Sequence, residues 1–404
     1  MRKQCWVAGW NCAPVYGIRA DAAGSTLRMI VTPTIGGDVI RVRLSNRYGA
    51  APLTLTGVSL ARPAHRAALV PGTQARVTFG GDQAVAVKPG ADVSSDEVPF
   101  NVRAGQSLAV SIALGEDAKV VTCHPIARTT SYMTSAGAGD HTADETGAPF
   151  VRTTTSWYAV TRIEIQATSE ARTVALVGDS ITDGFQGDQQ PLVEKLDEMD
   201  INARWPDFLA ARLRDDRVAI ANAGISGNRL LRDGLSEEFG EALLHRLDAD
   251  VLALPSLSDV VLLAGINDIG QGLPGHTDFP SPTAEELIDG YRSAIARLRS
   301  ADVRVHLGTI TPAGGTAVPT YGGDAPNRRR VAVNAWIRRQ DLADSVVDFD
   351  AALRDPDRPS RLSRAYDSSD HLHPSSAGYR RMAEVAEHAV FKNSLGNARQ
   401  QYAS

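Results

Sequence analysis

The spacing of apolar residues divides the chain into two parts near residue 168. In residues 1–168, apolar and polar positions alternate in short runs, which turn residues such as Gly36-Gly37 and Pro89-Gly90 separate. A period of two places one face of each strand in a core. The alternating runs are Ile40-Val42-Leu44, Leu53-Leu55, Val85-Val87, Leu108-Val110-Ile112-Leu114 and Ile163-Ile165. Many short strands at such intervals predict an all-β, jelly-roll-like antiparallel sandwich over residues 1–168.

Residues 169–404 follow a different pattern, in which uninterrupted apolar runs alternate with amphipathic segments. Such runs are typical of strands that are buried on both faces. They are Val174-Ala175-Leu176-Val177, Val218-Ala219-Ile220, Val260-Val261-Leu262-Leu263, Val303-Val305-Leu307 and Val346-Val347. Residues 205–213 and 287–298 repeat apolar side chains at helical spacing. The alternation predicts an α/β domain over residues 169–404, with a parallel sheet covered by helices on both faces. The stretch at residues 270–282, rich in glycine and proline, predicts a long loop that lines a site.

Charge and composition exclude several classes of protein. The formal net charge of the 404 residues is −5, which argues against a nucleic-acid partner. No apolar run approaches the roughly 18 residues that a membrane span needs. Three cysteines are too few for a disulfide-built scaffold, although a Cys12–Cys123 pair stays open. The first residues resemble no signal peptide, so we expect a cytoplasmic protein, or a secreted one if this is a trimmed mature chain. The sequence predicts no oligomeric state.

Polar and glycine-rich segments follow the predicted strands of the second part. They occupy residues 178–184, 222–228 and 265–268, and a further polar segment lies at residues 370–374. In an open parallel sheet, ligands bind beyond the carboxyl ends of the strands. We therefore expect these segments to form one site at one edge of the sheet.

The residue types in these segments are those of nucleophilic catalysis. A serine hydroxyl becomes a good nucleophile when a histidine, held by a carboxylate, removes its proton. Ser180 lies at a predicted strand-to-helix turn, and Asp370 precedes His373 by three residues. His371 is the alternative base, but it lies only one residue from Asp370. The backbone N–H groups of Ser180 and Gly227 are candidate donors to an oxyanion.

Other polar residues of the segments have structural alternatives. The side-chain amide of Asn267 is the third candidate oxyanion donor, or it caps the helix that follows. Asp179, Asn222 and Asp268 are predicted to support the site by hydrogen bonds, and Asp183 to cap the helix after Ser180.

Charged residues outside these segments predict no further site. The histidines show no metal-ligand spacing, so no metal site and no cofactor is predicted. Asp348 and Asp350 are interpreted as structural acids at a strand end. The arginines at 328–330 and 338–339 are predicted to form the solvated face of a helix.

Four blocks of the sequence resemble those of the SGNH hydrolases, also called the GDSL esterase/lipase family. The blocks are Gly178-Asp179-Ser180, Gly227, Gly265-x-Asn267-Asp268 and Asp370-x-x-His373, in the family order over about residues 172–392. The resemblance implies a flavodoxin-like three-layer α/β/α fold and hydrolysis of carboxylic esters of lipids or acetylated sugars without a metal. It also implies Ser180 as nucleophile, His373 as the base that Asp370 orients, and Gly227 and Asn267 as oxyanion donors.

The whole chain is similar to a narrower branch with an N-terminal β-sandwich, the xylan-esterase-like bacterial proteins. The similarity lies in Trp6-Val7-Ala8-Gly9-Trp10 and Arg43-Leu44-Ser45-Asn46, whereas the acidic insert at residues 186–200 departs from it. The resulting hypothesis is a serine ester hydrolase that forms an acyl-enzyme and acts on acetyl esters of carbohydrates. The alternatives are a lipid esterase or lysophospholipase, an acyltransferase, and, from another class, a non-catalytic carbohydrate-binding protein.

Overall fold

The computed structural model describes residues 4–18, 22–213, 217–271 and 281–392. The chain divides into two compact units. The first comprises Met1–Thr173, Met199–Ile201 and Arg214–Ala221, and the second comprises Val174–Glu198, Asn202–Leu213 and Asn222–Ser404. Most of the loop predicted at residues 270–282 lies outside the described residues.

The first unit is an antiparallel β-sandwich, which confirms the predicted fold class. Its strands are β1 (Gln4–Asn11), β2 (Val15–Ile18), β3 (Thr26–Val31), β4 (Gly37–Ser45), β5 (Leu53–Ala61), β6 (Ala75–Val77), β7 (Val85–Val87), β8 (Asp92–Ser94), β9 (Val98–Val102), β10 (Leu108–Leu114), β11 (Val121–His124), β12 (Ser131–Met133), β13 (Arg152–Thr154), β14 (Trp157–Tyr158) and β15 (Val160–Thr168). They form sheets in the orders β1-β15-β4-β8, β13-β12-β3-β10-β5-β6 and β14-β11-β2, with β9 beside β4 and β7 beside β5.

Alternating side chains fill the core of this unit, as the period of two predicts. Ile40, Val42 and Leu44 of β4 are fully buried. The thiols of Cys12 and Cys123 donate to the backbone carbonyls of Val160 (3.6 Å) and Tyr16 (3.7 Å). Both are thiols in the structure.

The second unit contains a five-stranded sheet, two of whose strands begin in residues grouped with the first unit. Its strands are β16 (Arg172–Gly178), β19 (Val218–Gly224), β20 (Leu257–Leu263), β21 (Arg304–Gly308) and β22 (Ser345–Val347), in the order β19-β16-β20-β21-β22. β21 is parallel to both β20 and β22. β19, the second of these five strands along the chain, lies at one edge of the sheet beside β16. The strands β20, β21 and β22 follow on the other side of β16, which is the flavodoxin-like order. A short hairpin, β17 (Gly187–Asp188) and β18 (Gln190–Glu194), follows β16.

Helices pack in two groups around this sheet, which confirms the predicted α/β class. They are α1 (Ser180–Asp183), α2 (Trp205–Leu213), α3 (Leu243–Leu247), α4 (Ile266–Gly270), α5 (Ala284–Arg299), α6 (Pro319–Gly322), α7 (Asp324–Arg339), α8 (Phe349–Leu353) and α9 (Ser376–Glu387), with shorter helical turns at Glu237–Phe239, Asp248–Leu252 and His388–Lys392. Helices α2 and α8 contact α9, whereas α3 and α7 contact α5. Helix α5 of one group contacts β21, and Phe349 of α8 in the other group packs beside Gly308 of the same strand, as expected for strands with continuous apolar runs.

A row of polar side chains joins the starts of three strands. His306 of β21 lies between Asp259 of β20 (Nε2 to Oδ1, 3.0 Å) and Ser345 of β22 (Nδ1 to Oγ, 2.7 Å). Burial acts to raise the pKa of Asp259, but hydrogen bonds from His306, Arg304 and Ser258 outweigh it and hold that pKa well below its usual range. The row ties the strand starts together, at the opposite end of the strands from Gly178 and Leu263, where β16 and β20 stop.

One predicted surface position of helix α7 is buried. Arg330 is 3% exposed and donates to Asp350 Oδ1 at 2.6 Å and to the Ile310 carbonyl at 3.1 Å. The prediction that Arg330 faces solvent is therefore wrong. The carboxylate of Asp350, which also accepts from Arg338 at 2.6 Å, compensates the buried charge.

The described helices include none with both the length and the apolar composition that a bilayer crossing requires.

Candidate active site

Ser180 lies where the first strand of the parallel sheet gives way to a helix. β16 ends at Gly178, and the side chain of Asp179 caps helix α1 by accepting from the Ile181 N–H at 3.0 Å. Ser180 is the first residue of the helix and is 7% exposed. This position is next to the point where the strand order reverses, at which α/β sheets bind ligands.

Ser180, His373 and Asp370 form one row of hydrogen bonds. Ser180 Oγ lies 2.8 Å from His373 Nε2, and His373 Nδ1 lies 2.6 Å from Asp370 Oδ2. The other oxygen, Asp370 Oδ1, accepts from the backbone N–H groups of Leu372 (2.9 Å) and His373 (2.8 Å). The acceptor at Nδ1 places the imidazole proton there and leaves Nε2 able to take the serine proton.

The environment of Asp370 keeps its carboxyl group ionised. Burial acts to raise the pKa of Asp370, but the charge and hydrogen bonds of His373, together with the Leu372 N–H, lower it to about 2. The ring of Phe185 lies 4.7 Å from the imidazole, measured between centroids, and covers one side of it. No sequence pattern indicated this contact of Phe185.

The alternative base, His371, is turned to another partner. Its Nδ1 hydrogen-bonds Asp367, and half of its side chain is exposed. The structure therefore pairs His373, rather than His371, with Ser180 and Asp370.

Gly227 lies in a tight turn beside α1. The Asn228 N–H donates to the Ile225 carbonyl at 3.0 Å, and the φ of Gly227 is +78°, as the third residue of a type II turn requires. A Cβ added at Gly227 would lie 2.2 Å from Cδ1 of Phe239, so both conformation and space favour glycine. The preceding residue, Ser226, donates its N–H and hydroxyl to Asp183 Oδ2 at 3.0 and 2.7 Å.

Asn267 is the second residue of α4 and is 4% exposed. Gly265 occupies the cap position of that helix, so the interpretation of Asn267 as the helix cap is wrong. Asn267 Nδ2 donates to the Asn228 carbonyl at 3.0 Å, which places the amide beside the Gly227 turn. An amide nitrogen carries two hydrogens, so the second can serve an oxyanion.

The predicted supporting residues each brace a loop of the site. Asn222 Nδ2 donates to the Thr182 carbonyl at 2.9 Å, and its Oδ1 accepts from the Gly224 N–H at 2.9 Å. Asp268 accepts from the N–H groups of Leu230 (2.7 Å) and Leu231 (3.0 Å). Asp179 and not Asp183 caps α1, so the cap prediction for Asp183 is wrong.

A buried arginine that sequence reasoning missed ties three of these segments together. Arg246 is 1% exposed and donates to the carbonyls of Gly178 (3.1 Å) and Ala223 (2.9 Å) and to Asn228 Oδ1 (3.0 Å). Asp250, one helical turn later, compensates its charge at 3.2 Å. The only sequence signal is the spacing of four between Arg246 and Asp250, which surface pairs on helices share.

The insert at residues 186–200 packs against Asp370, the carboxylate of the Ser180–His373–Asp370 row. A Cβ added at Gly187 would lie 1.9 Å from Asp370 Oδ2, so glycine is required for the hairpin to approach the carboxylate. The N–H of Gln189 donates to Ser369 Oγ at 3.1 Å, and Ser376 hydrogen-bonds Glu198. The insert thus covers Asp370 and contributes to its burial.

Asp179 makes protein stability depend on pH near neutrality. Burial raises the pKa of Asp179 to about 7, against the Ile181 N–H and the charge of His373. Between pH 4 and about 7, Asp179 ionises in the unfolded chain but stays neutral in the folded one. Its contribution to stability is therefore complete below pH 4 and is lost as the pH rises through about 7. Asp179→Asn keeps an oxygen acceptor for Ile181 but cannot ionise. We expect its Tm to fall less than that of the wild type between pH 4 and 8 in thermal melts. Equal slopes for the two proteins would contradict this expectation.

The described residues include no group of three or more His, Cys, Asp or Glu side chains placed to hold a metal ion.

Comparisons with known proteins assign the second unit to a family. A model of the GDSL-like lipase/acylhydrolase family matches residues 176–381. A search of the curated proteins finds no match.

Solved structures with similarity to the chain include three esterases or lipases. A GDSL-like lipase from Bacteroides thetaiotaomicron is 20% identical, with 56% of this chain and 89% of that chain covered and a TM-score of 0.38. Est24, a carbohydrate acetylesterase from Sinorhizobium meliloti, is 18% identical, with 52% and 94% covered and a TM-score of 0.40. The aryl esterase of M. smegmatis is 16% identical, with 53% and 95% covered and a TM-score of 0.41. Since the family model spans half of the chain and includes the segments of Ser180, Gly227, Asn267 and His373, the chain belongs to the GDSL-like lipase/acylhydrolase family.

Proposed function

We propose that the protein is a serine carboxylic-ester hydrolase that works through an acyl-enzyme, with short acyl esters of carbohydrates as its substrates. The observation that carries the proposal is the unbroken row Ser180 Oγ–His373–Asp370, with distances of 2.8 and 2.6 Å. Such a row raises the nucleophilicity of the serine hydroxyl at neutral pH.

Acylation follows from the positions of the two histidine nitrogens. His373 Nε2 takes the proton of Ser180 as Oγ attacks the ester carbonyl carbon, and the carbonyl electrons move to the oxygen. As the tetrahedral intermediate collapses, the C–O bond to the alcohol breaks, and His373 gives its proton to the leaving oxygen. Asp370 stays ionised and stabilises the imidazolium between these two transfers.

Deacylation repeats the same steps with water in place of the serine. His373 takes a proton from water as the water oxygen attacks the acyl carbon. The bond from that carbon to Ser180 Oγ then breaks, and His373 returns the proton to Oγ as the acid leaves. In both halves the oxyanion would accept from the N–H groups of Ser180 and Gly227 and from Asn267 Nδ2. One such donor is typically worth about 10²–10³ in rate.

Two features support the proposal that the substrate carries a short acyl group. The first is the resemblance of the whole chain to xylan-esterase-like proteins with an N-terminal sandwich. The second is the packing of Phe239 directly on Gly227 and of Tyr321 directly on Gly270, where an added Cβ would lie 2.2 and 2.3 Å from the rings. We propose that these rings, which pack on both donor segments, limit the space for the acyl chain.

An acyl-chain series tests the proposal. We expect kcat/KM to be highest for p-nitrophenyl acetate and to fall as the acyl group lengthens, and we expect acetate release from an acetylated polysaccharide. A kcat/KM that rises beyond about eight carbons would overturn the short-acyl proposal in favour of a lipid esterase. A fluorophosphonate should label Ser180, as peptide mass spectrometry can show. Absence of labelling and of hydrolysis would favour a non-catalytic binding protein.

A further inference from the structure

Hydrogen bonds from Gln271 and Asn267 join the two segments that carry Gly227 and Asn267, and Tyr321 in turn hydrogen-bonds Asn267. Gln271 Nε2 donates to the Gly227 carbonyl at 2.7 Å, and the Tyr321 hydroxyl donates to Asn267 Oδ1 at 2.8 Å. Asn267 Nδ2 donates to the carbonyl of Asn228 at 3.0 Å.

The direction of each of these hydrogen bonds follows from the two backbone carbonyls that accept. The carbonyls of Gly227 and Asn228 can only accept, so the side-chain NH₂ groups of both Gln271 and Asn267 must face them. Oδ1 of Asn267 then faces Tyr321 and needs a donor there. The tyrosine hydroxyl supplies its only proton to Oδ1. The amide orientation of Asn267 is therefore set by two partners, the Asn228 carbonyl and the Tyr321 hydroxyl.

We infer that Tyr321 and Gln271 are positioning residues of the oxyanion hole. Tyr321 holds the Asn267 amide with its NH₂ group towards the oxyanion, and Gln271 holds the peptide after Gly227. The inference rests on the proposed function, because it assigns these residues a task in that reaction. Tyr321 lies 54 residues from Asn267 in the sequence and belongs to none of the four blocks.

The surroundings of Tyr321 keep its hydroxyl in place and protonated. The ring packs on Gly270, where an added Cβ would lie 2.3 Å from Cδ1, and helix α6 begins with Pro319, two residues earlier. Burial is the main reason that the pKa of Tyr321 lies above its ordinary value. The hydroxyl therefore remains a donor at every pH at which the enzyme would be assayed.

Tyr321→Phe removes the donor and keeps the ring. Without the hydroxyl, the Asn267 amide loses one of the two hydrogen bonds that orient it, so part of one oxyanion interaction is lost in the transition state. We expect kcat and kcat/KM for p-nitrophenyl acetate to fall alike by about tenfold, which is the signature of an interaction made only in the transition state. In an Asn267→Ala background, Tyr321→Phe should cause no further fall, because its target is gone.

Tyr291→Phe is the matched control. The Tyr291 hydroxyl is buried and donates to the Ala264 carbonyl at 2.6 Å, so this variant also loses one buried hydrogen bond of a tyrosine. We expect its Tm to fall while kcat stays within about twofold of the wild type. A purely structural role of Tyr321 would give the same result for both variants. Gln271→Met, which removes the amide at similar volume, provides a second test if Tyr321→Phe does not fold, and we expect the same loss of kcat.

The outcomes separate this inference from the proposed function. If Ser180→Ala abolishes hydrolysis while Tyr321→Phe and Gln271→Met keep full kcat, the positioning role is overturned and the proposed function stands. A further tenfold fall in the Asn267→Ala background would also overturn it, since Tyr321 would then act independently of Asn267. If Ser180→Ala hydrolyses esters as fast as the wild type, both the inference and the proposed function fail.

Discussion

Replacing Ser180 with alanine is expected to lower kcat for p-nitrophenyl acetate by about 10⁴–10⁶-fold. The change removes Oγ, which lies 2.8 Å from His373 Nε2, and leaves the backbone N–H in the proposed oxyanion hole. Asp370 still holds the imidazole at 2.6 Å, so the fold should be retained, with a Tm close to that of the wild type. Steady-state kinetics and thermal melts measure the two effects.

Ser345→Ala is the control for this experiment. Ser345 also hydrogen-bonds a histidine, His306, at 2.7 Å, but it belongs to the row at the strand starts. We expect this variant to keep full kcat. Activity that survives Ser180→Ala and disappears in Ser345→Ala would refute the assignment of the nucleophile.

Asp370→Asn is expected to lower kcat by about 10³–10⁴-fold. The wild-type carboxylate accepts from His373 Nδ1 at 2.6 Å and fixes the proton on that nitrogen. An asparagine that turns its oxygen to Nδ1 must turn its NH₂ group to the N–H groups of Leu372 and His373. If it turns its NH₂ group to Nδ1 instead, the imidazole proton moves to Nε2, which then cannot accept from Ser180. Either arrangement removes the negative charge that stabilises the imidazolium.

The acid stability of the same variant provides a readout that does not depend on substrate. The pKa of Asp370 is lowered to about 2 from an ordinary 3.8, so its stabilisation is present above pH 4 and is lost as the pH falls to about 2. Asp370→Asn cannot show this loss, and its Tm should fall less than that of the wild type between pH 4 and 2. The sign is opposite to that for Asp179, whose stabilisation is lost as the pH rises. Parallel melting curves in acid would mean that Asp370 is not the ionised partner of His373.

The sheet of the second unit could be predicted from the sequence because each strand is marked by an uninterrupted run of apolar residues. Val174-Ala175-Leu176-Val177 and Val260-Val261-Leu262-Leu263 lie in β16 and β20, and all eight side chains are buried. Parallel strands that end at one edge bring their following segments together, which explains why Ser180 and His373, 193 residues apart, could be considered jointly. Their catalytic roles stay predictions.

Positions that depend on distant partners could not be predicted in the same way. Arg330 has the polar character of a surface residue, and only the fold brings the buried Asp350 to it. Arg246 is similar, since its carbonyl partners are backbone groups at the ends of β19 and β16, 23 and 68 residues away in the sequence. The cap of α1 was misassigned because α1 begins at Ser180, two residues after β16 ends, whereas a cap at Asp183 assumes a helix that begins four residues later. Tyr321 lay outside every motif, since only α6 and α4 together place its hydroxyl at Asn267.

The two Ser–His–Asp rows of this sheet have consequences for how hydrolases are recognised from coordinates. A search by three-residue distance templates would return both, since 2.7 and 3.0 Å in Ser345–His306–Asp259 hardly differ from 2.8 and 2.6 Å in Ser180–His373–Asp370. The discriminating feature is which ring nitrogen each partner occupies: Ser345 is on Nδ1, whereas Ser180 is on Nε2. A template that records which ring nitrogen contacts the serine, and which backbone N–H groups surround that serine, would retain the row of Ser180 and discard the row of Ser345.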